Sequence, residues 1–289
     1  MFRTIAFRRD FGGYQYMSGF PITDDHIHID PVNGRGIEAA REFRRSGGTH
    51  IFLVSKPAGS FGIRPGAAAD FIPVFEETLR VAEKIRETGV VVFPVLGVHP
   101  AEITHLAEAT DPDTAAGTMK GGLDLAARYV EEGKAIALKS GRPHYEVSPE
   151  IWSASLDVLS HALSLAAGLG CALQVHAESG PCADIAEMAG KAGMRAGKVV
   201  KHYATTGTPL VPSVTAKGTA FADFLHSKGE FMLESDYMDE NSRPGAVTGP
   251  RSVPRMTRKL YDEGLLSEDD VYRIHVLTPS RVYGVDISL

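Results

Sequence analysis

The sequence predicts an α/β fold, a single (β/α)8 TIM barrel with a C-terminal helical tail, on three observations. Short apolar, β-branched runs alternate with longer segments of helical period, the signature of βα units around a parallel sheet. Eight such runs occur, at 22–29, 49–55, 90–98, 134–139, 171–177, 198–203, 210–214 and 230–236. The chain of 289 residues has room for eight βα units and a tail. An open doubly wound sheet is the competing layout for the same alternation.

The first run is followed by GIEAAREFRRSG at 36–47, an amphipathic helix. The second leads into 69–88, where Phe71, Val74, Phe75, Leu79, Val81 and Ile85 fall mostly on one face and Gly89 supplies the stop. Helical patterns then fill the gaps at 117–132, 149–168, 180–193 and 217–228. After the eighth run comes a polar loop rich in Pro and Gly, 237–254, and helical segments near 252–263, 267–275 and 278–284. Such a loop beside a strand end usually serves a site or a lid. No linker divides the chain, so residues 21–289 read as one domain and residues 1–20 as an N-terminal extension.

Composition narrows the function. With 43% hydrophobic and 23% charged residues the chain is globular, and its 30 Gly and 17 Pro imply many turns. A formal charge of −6 carries no overall pull toward nucleic acid or anionic membrane. Two cysteines, Cys171 and Cys182, are too few for a disulfide framework and read as inert core residues in a reducing, cytoplasmic setting. The longest apolar runs reach about half of the ~20 residues that span a bilayer, so no membrane partner is expected.

The chemistry lies at the strand ends. In Asp24-Asp25-His26-Ile27-His28-Ile29-Asp30, alternation puts His26 and His28 on one face, together with Asp24 and Asp30, where two imidazoles can grip one metal ion. Alone, such a pair arises easily by chance. Its partners come where a barrel would gather them: CALQVHAES ends at His176, KVVKHYA at His202 and FMLESDY at Asp236. In a parallel barrel these carboxyl ends converge on one mouth.

The pattern of HIH on strand one, His on strands five and six and Asp on strand eight resembles the amidohydrolase superfamily of metal-dependent hydrolases. Within it, GVHP (97–100), QVHAES and ESD (234–236) look most like the TatD-related branch. The resemblance covers about residues 22–285 and implies a binuclear divalent metal centre in a TIM barrel. Nitrogen-rich ligation with carboxylates favours zinc, with manganese, iron, nickel or magnesium as alternatives.

One position departs from the TatD pattern. Strand four carries a bridging Glu in a G-E-x-G segment of that branch, and aligning on Gly141 puts Lys139 there. An ammonium offers donors only and cannot ligate a metal. In phosphotriesterase-like and urease-like members a lysine on this strand is carboxylated and bridges both metals, and burial prepares it by favouring the neutral amine. The other reading leaves Lys139 an ammonium, drops the second metal and turns the charge toward an anionic substrate.

Three neighbours read as substrate-binding: His99 in GVHP, and Arg142 and His144 in SGRPHYEV. Arg142 is either a bidentate clamp for phosphate or carboxylate or a salt-bridged loop residue. Glu178 reads as a support for the ligands. Lys201 and Tyr203, flanking His202, are expected to pack against helices. Arg243, Arg251, Arg255, Arg258 and Lys259 form a basic stretch expected over the barrel mouth, against the alternative of a solvated surface run.

The mechanism expected is hydrolysis by a metal-activated hydroxide. His26, His28 and Asp236 hold one ion, His176 and His202 the second, and carboxylated Lys139 bridges them. Asp236 carries the proton to the leaving group. The TatD resemblance implies phosphodiesters, at a nucleic-acid end or in a small phosphate ester. Lys139 points as well to lactones, amides or phosphotriesters, and a non-catalytic metal-binding scaffold is the alternative of another class.

Overall fold

Nine parallel strands form one curled sheet in a computed structural model of the chain, which describes residues 19–195, 197–205, 207–218, 220–227, 229–242 and 248–289. They are β1 (Thr23–His28), β2 (His50–Val54), β3 (Val91–Gly97), β4 (Ala137–Gly141), β5 (Ala172–His176), β6 (Val199–Lys201), β7 (Val211–Thr215), β8 (Met232–Glu234) and β9 (Tyr237–Met238). Their order is β8-β7-β6-β5-β4-β3-β2-β1-β9. Only Ser235 and Asp236 separate β8 from β9, so the chain leaves one edge of the sheet and joins the other, pairing Ile27 with Tyr237. Most of the N-terminal extension, through residue 18, lies outside the described residues, as does Arg243.

Helices cover the outer face: α1 (Ile37–Arg45), α2 (Ile72–Arg86), α3 (Glu102–Ala109), α4 (Pro112–Glu131), α5 (Pro149–Leu169), α6 (Ala183–Lys191), α7 (Ala220–Ser227) and α8 (Ser252–Asp262). The tail adds α9 (Glu268–Tyr272), a π-helical turn (Arg273–Leu277) and α10 (Thr278–Tyr283). Among the described residues no helix is long and apolar enough to cross a membrane. Phe71 and Phe75 are buried beneath α2 as its apolar stripe requires, each contributing about 1.5–3 kcal/mol.

Two sequence boundaries move for local reasons. α4 begins five residues before the predicted 117, because Asp111 caps it, accepting from the N–H groups of Asp113 and Thr114 at 3.0 Å, with Pro112 in the first helical position. β4 begins later than predicted and runs through Gly141. Lys134 and Ala135 still close the turn behind α4, both donating to the Tyr129 carbonyl. Lys139 is therefore central in its strand, opposite Gly97 and Gln174.

The sheet's interior is filled by Phe52, Val54, Val95, Ala137, Ala172, Val200, Val211 and Met232, and the tail packs Val276, Val282, Tyr283 and Ile287 against them. Phe52 and Tyr283 lie ring to ring with centroids 4.2 Å apart. The tail plugs the end of the sheet opposite the strands' carboxyl ends. His275 ties it to the start of β1: Thr23 N–H donates to His275 Nδ1 at 3.1 Å and Thr23 Oγ1 to its carbonyl at 2.6 Å.

Candidate metal centre

The carboxyl ends bring the sequence's candidates together. His28 ends β1, His176 ends β5, His202 follows β6 and Asp236 follows β8 by two residues. His26 Nε2 and His28 Nε2 face each other at 3.1 Å, and Lys139 Nζ lies 3.3 Å from His26 Nε2. His176 Nδ1 and His202 Nε2 are 3.0 Å apart. The rings of His26 and His202 stack at 4.0 Å, joining the two pairs, and His26, His202 and Asp236 offer ligand atoms within 4.8 Å of one another.

Shared parity of Asp24 and Asp30 with the histidines does not hold as expected. Three steps of β1 from Asp24 to Ile27 oppose two of β2, from Ile51 to Leu53, so a bulge interrupts the alternation. Asp24 Oδ1 accepts from Ser235 N–H at 2.9 Å, binding β1 to the end of β8. Asp30 is paired with buried Lys56, whose Nζ donates to Asp30 Oδ2 at 2.7 Å and to the Asp239 carbonyl at 3.0 Å.

Backbone geometry makes the convergence feasible. A Cβ on Gly97 would lie 1.9 Å from the Lys139 carbonyl oxygen, and one on Gly141 the same distance from that of His176. Both glycines let β3, β4 and β5 approach where the site forms. Asp236 adopts a left-handed φ of 47°, and its N–H donates to the His26 carbonyl at 3.0 Å. The kink between β8 and β9 thus fixes Asp236 against β1.

The remaining nitrogens settle which ring atoms face the centre. His28 Nδ1–H donates to the Val54 carbonyl at 2.9 Å, leaving a lone pair on Nε2. Glu234 Oε1 sits 3.0 Å from His202 Nδ1 and accepts from Tyr203 N–H at 2.9 Å, so His202 also turns Nε2 inward. His144 Nδ1 lies 2.7 Å from His176 Nε2, and the His99 ring packs 5.0 Å from His176. Glu234 was missed as a functional residue; its position two before Asp236, within ESD, was the signal available.

Burial drives the site's groups toward neutrality. It holds His26, His28, His176 and His202 below the usual imidazole range, helped by one another and by Lys139, and it lowers His99 to about 3. Burial likewise pushes Asp24 and Asp25 up to about 7, Asp236 up to about 6 and Glu234 well above the carboxylate range. Lys139 is pushed down to about 7 by burial, against the pull of Asp236 and Glu234. Neutral imidazoles with inward lone pairs, beside carboxyls short of counter-charge, are a donor set that fits a divalent cation. Tetrahedral ligation of one ion at ~2.0–2.1 Å sets two nitrogens about 3.3–3.4 Å apart, a few tenths of an ångström beyond the 3.1 and 3.0 Å of the two pairs.

Four outer residues come out as follows. Arg142 is buried, its guanidinium donating to Glu178 and Asp184 and lying over the Trp152 ring at 5.0 Å. That is the salt-bridged alternative, and no free fork remains for a substrate. Glu178 accordingly supports Arg142 rather than a metal ligand. Lys201 is buried as expected, donating to the carbonyls of Ala177 and His202. Tyr203 instead stands exposed, because the chain turns into a left-handed φ of 53° just past β6.

The basic stretch is also placed differently from the sequence expectation. Arg251, Arg255, Arg258 and Lys259 belong to α8 and its entry, on the outer flank beside α1, with Arg251 Nε 3.2 Å from Glu42. The mouth itself is lined by His99, His144 and His176.

Comparison with known proteins agrees with this geometry. Residues 23–284 match the family model for TatD related DNase. An uncharacterized protein of Methanocaldococcus jannaschii is 34% identical over 285 residues, covering 94% of this chain and 99% of that one. A TatD-like protein from Archaeoglobus fulgidus superposes with a TM-score of 0.62 at 19% identity, covering 91% of this chain and 100% of its own. A TatD homolog from Escherichia coli gives 0.64 at 15% identity, over 91% and 98%. An organophosphorus hydrolase from Deinococcus radiodurans shares the fold at 0.62 and 14% identity, over 92% and 93%. By the extent of the family match and of the archaeal relative, the chain belongs to the TatD-related DNase family.

Proposed function

We propose that this chain is a divalent-metal-dependent hydrolase of phosphodiester bonds, at a nucleic-acid end or in small phosphate esters. Its frame is read as a closed (β/α)8 barrel in which β8 and β9 are two pieces of the eighth strand. The observation that carries the proposal is the facing of imidazole nitrogens in two pairs, His26 with His28 and His176 with His202, with Lys139 Nζ beside His26. Nitrogen-rich ligation of this kind favours zinc.

In this reading His26, His28 and Asp236 hold one ion and His176 and His202 a second. Divalent ions there lower the pKa of water and polarise the scissile P=O or C=O, so no Ser or Cys nucleophile is needed. Asp236, with its carboxyl pushed up to about 6, accepts the proton of the attacking water on a carboxylate oxygen and releases it to the leaving-group oxygen. Glu234 and the Val54 carbonyl keep His202 and His28 in the required tautomer. In the same reading His99 and His144, which lie against His176, bind the substrate's phosphate.

Lys139 completes the centre as a carbamate. Its neutral amine attacks CO2, forming an N–C bond and losing one proton, which turns a donor-only group into an anion with two ligand oxygens. Support comes from its burial, 2% exposed, and from a pKa pushed down to about 7, which keeps amine available at neutral pH. The same residue favours a second reading, hydrolysis of lactones, amides or phosphotriesters. The protein is expected in the cytoplasm.

The test is turnover of bis-p-nitrophenyl phosphate, a lactone and an end-labelled oligonucleotide by zinc- and manganese-loaded protein, with Asp236→Asn alongside. The expected result is metal-dependent phosphodiester cleavage lost in Asp236→Asn. Lactone turnover alone favours the second reading, and bound metal with no turnover of any substrate favours a scaffold.

A further inference from the structure

Three of the site's histidines have their outer nitrogen held: His28 Nδ1 by the Val54 carbonyl at 2.9 Å, His202 Nδ1 by Glu234 at 3.0 Å and His176 Nε2 by His144 at 2.7 Å. His26 differs. It turns Nε2 toward His28 and keeps Nδ1 buried with no partner of good geometry. Gln174 Oε1 is buried in the same condition. Gln174 stands on β5 two residues before His176, on the same face, and opposite Lys139 in the register with β4. Its side chain is the His26 ring's hydrogen-bonding neighbour, at looser geometry than the other three pairs.

The other end of the amide settles which atom faces His26. Gln174 Nε2 donates to the Asp25 carbonyl at 2.8 Å and to Tyr283 Oη at 2.7 Å. A backbone carbonyl accepts only, so the nitrogen belongs on that side and Oε1 is left to accept from His26 Nδ1–H. Both amide hydrogens are then used. Tyr283 Oη, having accepted one of them, has its own hydrogen to give to the Asp25 carboxyl, its hydrogen-bonding neighbour. Gln174, Asp25, His26 and Tyr283 are all buried, and in a dry interior each link of such a chain polarises the next. Tyr283 ends α10 in the tail, where its ring is held on Phe52 with centroids 4.2 Å apart.

We propose that Gln174 and Tyr283 are positioning residues for His26, so that the C-terminal tail is a working part of the metal centre. The proposal rests on the reading of His26 as a ligand. An acceptor at Nδ1–H fixes the tautomer that leaves a lone pair on Nε2 and makes that nitrogen a better ligand. The Tyr283 hydroxyl keeps the amide in this orientation. Without it one amide hydrogen is unpaired in a dry interior, and the side chain gains by turning its nitrogen toward His26. A donor at Nδ1 would put the ring hydrogen on Nε2, the nitrogen that must ligate. Tail and metal are thereby linked: a docked tail favours the ion at His26, and the ion favours the docked tail by the same factor.

The experiment reads zinc affinity by chelator competition, and the cobalt spectrum, for the full chain and for Tyr283→Phe, Gln174→Met, the double variant and His26→Ala. Tyr283→Phe keeps the ring on Phe52 and removes only the hydroxyl. Each single variant is expected to weaken the ion at His26 by about tenfold, with a shifted cobalt spectrum, and to leave the other ion within about twofold. The double variant should fall within about twofold of Gln174→Met, because Tyr283 acts through Gln174. Losses that multiply to about a hundredfold overturn the proposal, as do an unchanged affinity and spectrum in Tyr283→Phe. If Tyr283→Phe does not fold, hydrogen exchange in the parent carries the test. Zinc should slow the amides of α10 more than those of α4, which packs outside β3 and β4, and equal slowing overturns the proposal. Zinc bound equally by the parent and by His26→Ala removes His26 from the ligands and the proposal with it. Weakening in His26→Ala with none in Tyr283→Phe strikes the tail's role alone.

Discussion

Lys139 Nζ lies 3.3 Å from His26 Nε2, in a strand whose approach to β3 depends on Gly97 lacking a side chain. An amine so placed, with its pKa pushed down to about 7, is positioned to become a ligand only by changing its chemistry. Lys139→Met is expected to lose about one equivalent of metal while staying folded, whereas Lys139→Glu retains both. Native mass spectrometry of the parent should show the added mass of one CO2, lost on acidification. Two metals in Lys139→Met would remove the bridging role.

Glu234 acts through His202. Its Oε1 fixes the ring with Nε2 inward, and partners of this kind typically change metal affinity 10–100-fold. Glu234→Gln should therefore weaken zinc binding by about tenfold or more, read by chelator competition, with a cobalt spectrum shifted from that of the parent. An unchanged spectrum and affinity would reduce Glu234 to a structural carboxyl.

His144 holds the outer nitrogen of His176 at 2.7 Å. For His176 to ligate through Nδ1, its Nε2–H must donate to His144 Nδ1. His144→Ala should weaken the second metal site by about tenfold and leave the first within about twofold. Equal weakening of both sites would argue against this division of ligands.

Acid should destabilise the metal-free protein in a defined window. Burial pushes His275 from 6.5 down to about 4 in the folded chain, so the unfolded chain takes up the proton first as pH falls. The stability held by neutral His275 is complete above pH 6.5, is lost between 6.5 and 4, and amounts to about 3 kcal/mol. Urea midpoints in chelator should show the gap between parent and His275→Gln narrowing across that window. A gap constant with pH would contradict the assignment.

Two glycine substitutions should have opposite signs. Gly141→Ala places a Cβ 1.9 Å from the His176 carbonyl oxygen and should cost at least about 3 kcal/mol. Gly117→Ala, exposed within α4 with nothing within 4 Å, should stabilise by about 0.5–1 kcal/mol. Thermal melts of the two variants check both.

How far the sequence reached depended on the range of the interactions involved. The alternation of apolar runs with helical periods located eight of the nine strands among the described residues, and strand-end placement brought His26, His28, His176, His202 and Asp236 into one group. These are local signals. What stayed hidden was set by contacts between distant segments. β9 is two residues long and exists through its pairing with β1. The bulge in β1 appears only in its register against β2. Arg142 reads in sequence as a rim cation, and its capture by Glu178 and Asp184, residues 36 and 42 positions away, needs the folded loop. The cations after 250 read as lying over the mouth although 252–263 reads as helical, because the side on which α8 lies is set by its contact with α1, as in the Arg251–Glu42 pair.

The most direct test of the metal centre is an anomalous-scattering map from zinc-loaded crystals. The account predicts one peak among His26, His28 and Asp236, a second between His176 and His202, and continuous density from Lys139 Nζ to both. Zinc-loaded crystals with no peak at these five side chains would contradict it.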